Sequence, residues 1–440
     1  SVTRSAITFT VTFDEAVTGT VDTASFRASN GSVTAVTAVD STHYSVVVTP
    51  QANVASGEVS LSLIGTGLTD AAGNPVLSAD LSDRDSQTFD TLAPNAPVIN
   101  LVALDDVVNL AEAGSTVTGS CEIGATVALT LGGNTRAASV NGASWSYTLQ
   151  AADITAMGQG QQTLSASQTD AAGNVSANGT RAIAVDTVAP TITAVSDSTT
   201  LTTKDPITFS VTLSEALVST LDTSDFSATN GIVSAVIAVD STHCTVLVIP
   251  SANIASGTVA LGVAGNVLSD AAGNLLAGAS LGGFDTQAID TLAPTVSLVT
   301  DATPEAITKD PIAFSVSFSE ALNGTVGTSH FSATNGVVTS VSAVDRSHYT
   351  VVVTPNANVA AGTVTLNLIG SGLSDDVGNA VASASLSGFD SQGIDTHAPA
   401  VNAVTHANPV SATKDAITFS VSFDEAITGT VGTGNFSASC

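Results

Sequence analysis

Apolar side chains alternate with threonine and serine along most of the chain. In one typical segment, Ile207, Phe209, Val211 and Leu213 are each separated by a single hydroxyl-bearing residue. A period of two is typical of a β-strand that buries one face. Asn-Gly and Ser-Gly turns separate such segments, and a helical period longer than a turn or two occurs only around residues 150–156. The pattern predicts short strands joined by tight turns.

One strand opening recurs four times, and its spacing divides the chain into modules. It begins at Ala6, Pro206, Pro311 and Ala416. The last three copies are 105 residues apart, whereas 200 residues separate the first two, which leaves room for one module of different sequence. We predict a type A module at 1–94 with a clipped N-terminal strand, a type B module at 95–190, type A modules at 191–294 and 295–399, and a partial type A module at 400–440.

Each full module is expected to be an immunoglobulin-like sandwich. About seven short strands in about 100 residues, with turns every 8–12 residues, are typical of that architecture. The predicted fold class is therefore all-β, with tandem immunoglobulin-like β-sandwiches forming an extended rod. Trp145, Tyr147 and Leu149 share one face of a type B strand, and Cys244 stands where the sister modules have tyrosine. We expect these four side chains in the cores.

Both module types end with the same connector, a closing turn Asp-x-x-Gly-Asn followed by a linker Asp-Thr-x-Ala-Pro. The closing turns begin at Asp70, Asp170, Asp270 and Asp375, and the linkers begin at Asp90, Asp186, Asp290 and Asp395. The linker proline fixes its φ angle and restricts hinge motion. A connector shared by two different modules indicates that the junction has a role of its own.

The strand openings, closing turns and linkers resemble those of the tandem bacterial Ig-like modules of large secreted adhesins, of the biofilm-associated and repeats-in-toxin type. The likeness covers essentially the whole chain. It implies an extracellular stalk on a bacterial cell, with no enzyme activity, that holds a terminal binding domain away from the surface. It also implies that calcium at the junctions stiffens the stalk.

The charge of the chain narrows the classes of partner. Nine Lys and Arg residues stand against 38 Asp and Glu residues, a formal net charge of −29. Nucleic acid and anionic membrane both require a basic face, so neither is expected as a partner. No run of about 18 apolar residues is present, which argues against membrane insertion in this segment. No familiar catalytic motif is present either, which favours a protein that is not an enzyme.

Clustered carboxylates with few cations nearby repel one another unless something neutralises them. Calcium prefers six to eight carboxylate and carbonyl oxygens, so Ca²⁺ is the cofactor we expect. The candidate ligands are the aspartates of the closing turns and linkers and those beyond the linker. These are Asp70, Asp90, Asp106, Asp170, Asp186, Asp197, Asp270, Asp290, Asp301, Asp375 and Asp395. The alternative is that these aspartates only shape turns and cap strand ends.

Three other polar positions recur, and we give each a structural interpretation. A Ser/Asp-Glu-Ala glutamate is interpreted as a solvated rim charge, with a ligand role as the alternative. A histidine lies in an Asp-x-x-His turn, and a lysine, or arginine in one copy, forms a surface pair rather than an isopeptide bond. The residues are Glu15, Glu215, Glu320 and Glu425; His43, His243 and His348; and Arg4, Lys204, Lys309 and Lys414. At the last junction, His397 lies in the linker and His406 replaces the aspartate beyond it, which weakens the calcium prediction there.

These patterns favour a mechanical role as the stalk of an exported bacterial surface adhesin. Neighbouring modules of the same chain are the expected partners. One alternative is a self-assembling extracellular filament or surface layer, joined by strand or sandwich contacts between chains. A module that binds glycan or ice is a further alternative. The few aromatic residues argue against a glycan site, and the mixed Thr/Ser faces argue against the regular threonine array that ice binding would need.

Overall fold

Short, mostly antiparallel β-strands make up nearly all of the regular structure. The computed structural model describes residues 2–264, 268–406 and 412–439. The described residues within Ser1–Thr191, Leu213–Thr220 and Gly265–Ala277 form one compact unit, and those within Ile192–Thr212, Leu221–Ala264 and Gly278–Cys440 form the second. The described helices are one seven-residue segment and several single turns, none long and apolar enough to cross a membrane. The all-β prediction is confirmed.

In the first unit, the type A module places two small sheets face to face. Its strands are β1 (Ile7–Thr12), β2 (Phe26–Ala28), β3 (Gly31–Ala38), β4 (His43–Pro50), β5 (Gly57–Leu63), β6 (Ala79–Asp80) and β7 (Ser86–Phe89), with a 3₁₀ turn at Thr23–Ser25. One sheet has the order β1-β4-β3, and the other joins β2, β6 and β7 to β5. Phe9, Val46, Leu61 and Phe89 fill the core between them.

The type B module of the same unit has larger sheets and the chain's α-helix among the described residues. Its elements are β8 (Val98–Ile99), β9 (Val107–Val108), a 3₁₀ turn (Leu110–Glu112), β10 (Thr116–Ser120), β11 (Thr126–Leu131), β12 (Asn134–Ala137), β13 (Ser139–Asn141), β14 (Ser144–Thr148), α1 (Ala151–Met157), β15 (Gly160–Thr169) and β16 (Gly179–Val185). The sheet orders are β13-β14-β10-β8 and β12-β11-β15-β16-β9. Trp145 and Leu149 are buried in its core and Tyr147 packs against it, as predicted.

The second unit repeats the type A pattern. The strands of residues 191–294 are β17 (Ile192–Asp197), β18 (Ile207–Leu213), β19 (Phe226–Ala228), β20 (Gly231–Ala238), β21 (His243–Pro250), β22 (Gly257–Val259), β23 (Leu261–Val263), β24 (Ala279–Ser280) and β25 (Gln287–Ile289), with a 3₁₀ turn at Thr223–Asp225. The sheet orders are β17-β18-β21-β20, β19-β23-β24 and β22-β25. Cys244 is buried at the tyrosine position, as predicted.

The remaining strands are β26 (Val296–Asp301), β27 (Ile312–Phe318), β28 (Phe331–Ala333), β29 (Gly336–Ala343), β30 (His348–Pro355), β31 (Gly362–Val364), β32 (Leu366–Leu368), β33 (Ala384–Ser385), β34 (Gln392–Ile394), β35 (Val401–His406) and β36 (Phe419–Phe423), with 3₁₀ turns at Thr328–His330 and Thr433–Asn435. They form sheets of order β26-β27-β30-β29, β28-β32-β33, β31-β34 and β35-β36. Strand β27 shows why alternation predicts them: Ile312, Phe314, Val316 and Phe318 are all buried.

The recurring histidines are the first residues of β4, β21 and β30, at the end of the Asp-x-x-His turns that the sequence predicts. Nδ1 of His43 lies 2.9 Å from both carboxylate oxygens of Asp40, and the other two turns repeat the contact. In the second copy, backbone and His243 hydrogen bonds lower the pKa of Asp240 to about 2. Each histidine side chain therefore contacts the aspartate at the start of its own turn.

The linker threonine holds each type A linker against its own module. Thr291 Oγ1 donates to the backbone oxygen of Ser251 (2.7 Å) and accepts from the N–H of Ile254 (3.0 Å). Thr91 and Thr396 make the same pair of bonds. The aspartate just before each threonine is consequently fixed in place at the end of its module.

We expect Thr291→Val to weaken the module by about 1–2 kcal/mol, because valine keeps the shape but leaves the Ser251 carbonyl and Ile254 N–H without their partner. Chemical denaturation of the full chain measures the loss. Thr286→Val is the matched control, since the Thr286 contact given by the structure uses its backbone N–H. Equal stability of parent and Thr291→Val would contradict the anchoring role.

Candidate functional site

The closing turn is a compact hydrogen-bonded loop that also reaches the preceding linker. In the turn that starts at Asp270, Oδ1 accepts the N–H groups of Ala272 and Asn274, each at 2.9 Å, and Oδ2 accepts the Asn274 side chain at 2.9 Å. Gly273 has φ of 85°, a conformation that favours glycine. The Asn274 amide also donates to the backbone oxygen of Asp186, at 3.0 Å. The turn interpretation is therefore correct locally, and the asparagine adds a tie between successive modules.

The same tie recurs at two other junctions, the first one and the one between the third and fourth modules. Asn174 donates to the backbone oxygen of Asp90 at 3.0 Å, and Asn379 donates to that of Asp290 at 3.1 Å. The amide of the closing turn thus joins one module to the linker of the module before it.

At the first three junctions, a second contact crosses at the glycine of the closing turn. A Cβ placed on Gly378 would lie 3.4 Å from Lys204 Cε, and one on Gly173 would lie 3.4 Å from Arg4 Nε. In the type B module, Asn109 Nδ2 donates to the backbone oxygen of Ala272. In the first and third modules, the repeated basic side chain therefore lies next to the closing turn of the following module, a placement that the sequence did not indicate.

Three carboxylates converge at each of two junctions. The first triad is Asp186, Glu215 and Asp270, and the second triad is Asp290, Glu320 and Asp375. In each triad, one oxygen from every residue lies within 4.8 Å of the others. The linker supplies the first aspartate, the residues after β18 or β27 supply the glutamate, and the closing turn supplies an aspartate that is only 3% exposed.

The electrostatics of the triads are unfavourable for three negative charges. Burial raises the pKa of Glu320, and the carboxylates of Asp290 and Asp375 raise it further. Burial and the two neighbouring aspartates do the same to Glu215. The interpretation of these glutamates as solvated rim charges is wrong, because both are partly buried and face aspartates from two modules. A glutamate at a strand end is a weak signal, and only its recurrence after the same strand singled it out.

A third group, His397, Asp424 and Glu425, lies at the last junction. The imidazole Nε2 is 3.8 Å from Asp424 Oδ2, and Nδ1 is 3.6 Å from Glu425 Oε1. Asp395 does not belong to this group; its Oδ1 accepts the backbone N–H of His397 at 3.1 Å. A basic side chain among the carboxylates agrees with the expectation that this junction differs from the others.

The first junction brings two predicted aspartates together without a third carboxylate among the described residues. The Asn174 amide lies between them, 3.3 Å from Asp90 Oδ1 and 2.8 Å from Asp170 Oδ2. Asp70 lies in its own closing turn, where hydrogen bonds from the Asn74 side chain and backbone hold the pKa of Asp70 below its ordinary value.

Asp106 has a cationic partner within the protein. Arg181 Nε and Nη2 each donate to one of its carboxylate oxygens at 2.6 Å, and these bonds hold the pKa of Asp106 below its ordinary value. A guanidinium that occupies both oxygens neutralises the charge that the calcium prediction assigned to an ion. Asp106 is therefore set apart from the triads.

Asp197 and Asp301 lie at the far ends of β17 and β26. A six-residue strand is about 20 Å long, so these aspartates are separated from the linkers that precede them. Their N–H groups donate to Asp285 and Asp390 of the same modules, at 3.0 and 2.9 Å. Oδ2 of Asp301 is buried and has no hydrogen-bond partner among the described residues. The structure thus places these two predicted ligands outside the triads.

Comparison with known proteins places this geometry in a family. The sequence profile of the bacterial Ig-like domain matches residues 2–90, 186–285 and 290–389. No curated protein sequence matches the chain.

Several solved structures are similar to this chain at low identity. A 1.5-MDa bacterial ice-binding adhesin is 22% identical, with 69% of this chain and 98% of that chain covered and a TM-score of 0.32. The Escherichia coli adhesin FdeC is 12% identical, with 78% and 93% covered and a TM-score of 0.24. The S-layer protein SbsC is 12% identical, with 96% and 62% covered and a TM-score of 0.17. On its three profile matches, the chain belongs to the bacterial Ig-like domain family.

Proposed function

We propose that this chain is part of the extracellular stalk of a bacterial surface adhesin and that calcium bound at the two triads stiffens the junctions between its modules. One observation carries the proposal: carboxylates from two successive modules converge at both triads. Tandem sandwiches with a repeated connector, together with the resemblance described from the sequence, support the stalk role. The function is mechanical, because the junctions set the angle between modules.

The residues of the triads suit calcium. Hard carboxylate oxygens are the ligands that this ion prefers, and the partly buried glutamates carry a charge that their surroundings disfavour. A bound Ca²⁺ would supply positive charge at the point where the three carboxylates meet. Asp186, Glu215 and Asp270 would hold one ion, and Asp290, Glu320 and Asp375 would hold another. Backbone oxygens or water would complete the six to eight ligands.

The protein itself prepares the second triad for this role. Thr291 fixes the linker that carries Asp290, while the closing turn fixes the buried Asp375 through its backbone N–H groups. The asparagine tie then holds linker and turn together. The module that follows the linker is consequently attached to it through few polar contacts. Neutralising the carboxylates would remove the repulsion that opposes these contacts.

Calcium is expected to extend and stiffen the full chain. Small-angle scattering in chelator and in calcium measures the maximum dimension, with magnesium as the comparison ion. We expect a larger and more sharply defined dimension in calcium, because a bridged junction samples fewer angles. Identical scattering curves in chelator and calcium would rule out the junction ions while leaving the stalk role open.

The double variant Glu215→Gln/Glu320→Gln is expected to be more stable than the parent in chelator at neutral pH, and to lose most of its response to calcium. Each glutamine removes one of three like charges. Glu15→Gln is the matched control, since Glu15 belongs to no triad among the described residues. Thermal unfolding with and without calcium measures both effects, and an undiminished calcium response in the double variant would contradict the ligand assignment.

The raised glutamate pKa values also predict the pH dependence of the calcium-free protein. The folded chain binds protons at Glu215 and Glu320 at a pH where the unfolded chain has released them, so their contribution to stability falls as pH rises through the raised values. The stability gap between the double variant and the parent should therefore close as pH falls from neutral towards 4.5, the ordinary glutamate pKa. Chemical denaturation in chelator across this range measures the gap. A gap independent of pH would show that the carboxylates do not interact.

A further inference from the structure

The outer face of the β17-β18-β21-β20 sheet is unusually apolar. Ile232, Ile237 and Ile249 are 70%, 62% and 49% exposed. Ile232 lies opposite Ile249 in the β20–β21 register, and Leu247 lies on the same face between Ile249 and Thr245. We call these four side chains, Ile232, Ile237, Leu247 and Ile249, the isoleucine patch.

The sister modules do not carry this patch. At the three isoleucine positions, the first module has Ser32, Thr37 and Thr49, and the fourth has Val337, Ser342 and Thr354. The strands are otherwise alike in length and register. The core therefore does not require isoleucine at these positions, and their exposure indicates that the side chains serve a contact outside the module.

Strand β20 also forms the open edge of its sheet. It is eight residues long and contains neither proline nor a charged residue. Natural edge strands are usually protected by lysine, proline or an inward charge. Here the described protection is a β-bulge between Val233 and Ala235. Backbone groups along this edge are thus available to a strand from another chain.

Charge identifies the partner that fits. The chain has a net charge of −29, yet β18, β20 and β21 contain no Asp, Glu, Lys or Arg. A second copy can therefore approach this face without bringing carboxylates on the two contact surfaces together. A surface that meets its own copy about a two-fold axis also needs no complementary patch elsewhere.

We propose that the isoleucine patch and the β20 edge join two copies of this chain side by side. Four side chains and one strand edge offer few groups compared with the about 20–30 residues a side of a standard interface, so we expect a weak association. It is independent of the triads, because none of their residues lies on these strands. Lateral pairing would let neighbouring stalks contact one another along their length.

The test exchanges residues between sister modules. Sedimentation velocity of the full chain in chelator, at rising concentration and with salt to screen the net charge, should show a growing dimer fraction. Ile232→Ser/Ile237→Thr/Ile249→Thr should weaken the association at least tenfold, because it installs the residues of the first module. Unchanged circular dichroism and thermal midpoint would establish that this variant still folds.

The reverse exchange is the matched control. Ser32→Ile/Thr37→Ile/Thr49→Ile in the first module should add a second association site and produce species larger than a dimer. A parent chain that stays monomeric at every concentration would overturn the proposal. So would an Ile232→Ser/Ile237→Thr/Ile249→Thr variant that associates as strongly as the parent. Use of chelator throughout keeps either result separate from the calcium proposal.

Discussion

The mutual repulsion of carboxylates at the module junctions is the constraint on which the rest of this structure depends. Two unit charges 4 Å apart interact by about 4 kcal/mol at the effective dielectric constant of a protein surface. The chain nevertheless brings Asp290, Glu320 and Asp375 together, and it does so again at Asp186, Glu215 and Asp270. Such an arrangement persists only if hydrogen bonds hold the carboxylates or a cation neutralises them.

The scaffold supplies the hydrogen bonds in a fixed order along the chain. A threonine fixes the linker to its own module, an asparagine joins the next closing turn to that linker, and a basic or amide side chain covers the turn glycine. The turn and metal interpretations of Asp-x-x-Gly-Asn are therefore compatible. The turn places the buried aspartate beside the linker, and this placement does not depend on which group neutralises the charge of the aspartate.

The distribution of charge separates two kinds of surface. Carboxylates concentrate in turns and junctions, whereas the eight-residue strands of the type A sheets carry no Asp, Glu, Lys or Arg. The sheet faces that these strands form are consequently neutral. In a chain so acidic, neutral faces are where a contact with another copy costs least.

The sequence by itself determined the strands, the repeats and the family resemblance, because these follow from local alternation and from motifs that recur at fixed spacing. The burial of Phe314, Trp145 and Cys244 also followed, since a side chain on the apolar face of a strand has one direction to point. Even the short helix was located to within a residue of its observed start, Ala151.

The choice among eleven aspartates depended on the tertiary structure. Asp106 looked like a junction ligand until Arg181, far along the chain, was found to occupy both its oxygens. Asp197 follows its linker closely in sequence, yet an extended strand carries it away. Glu320 resembled a rim charge, and the packing of the fourth module against the preceding linker turned it into the third member of a triad. The local alternation of residues determines which face of a strand a side chain lies on. Which carboxylates meet depends instead on the packing of sheets and turns that are far apart in sequence.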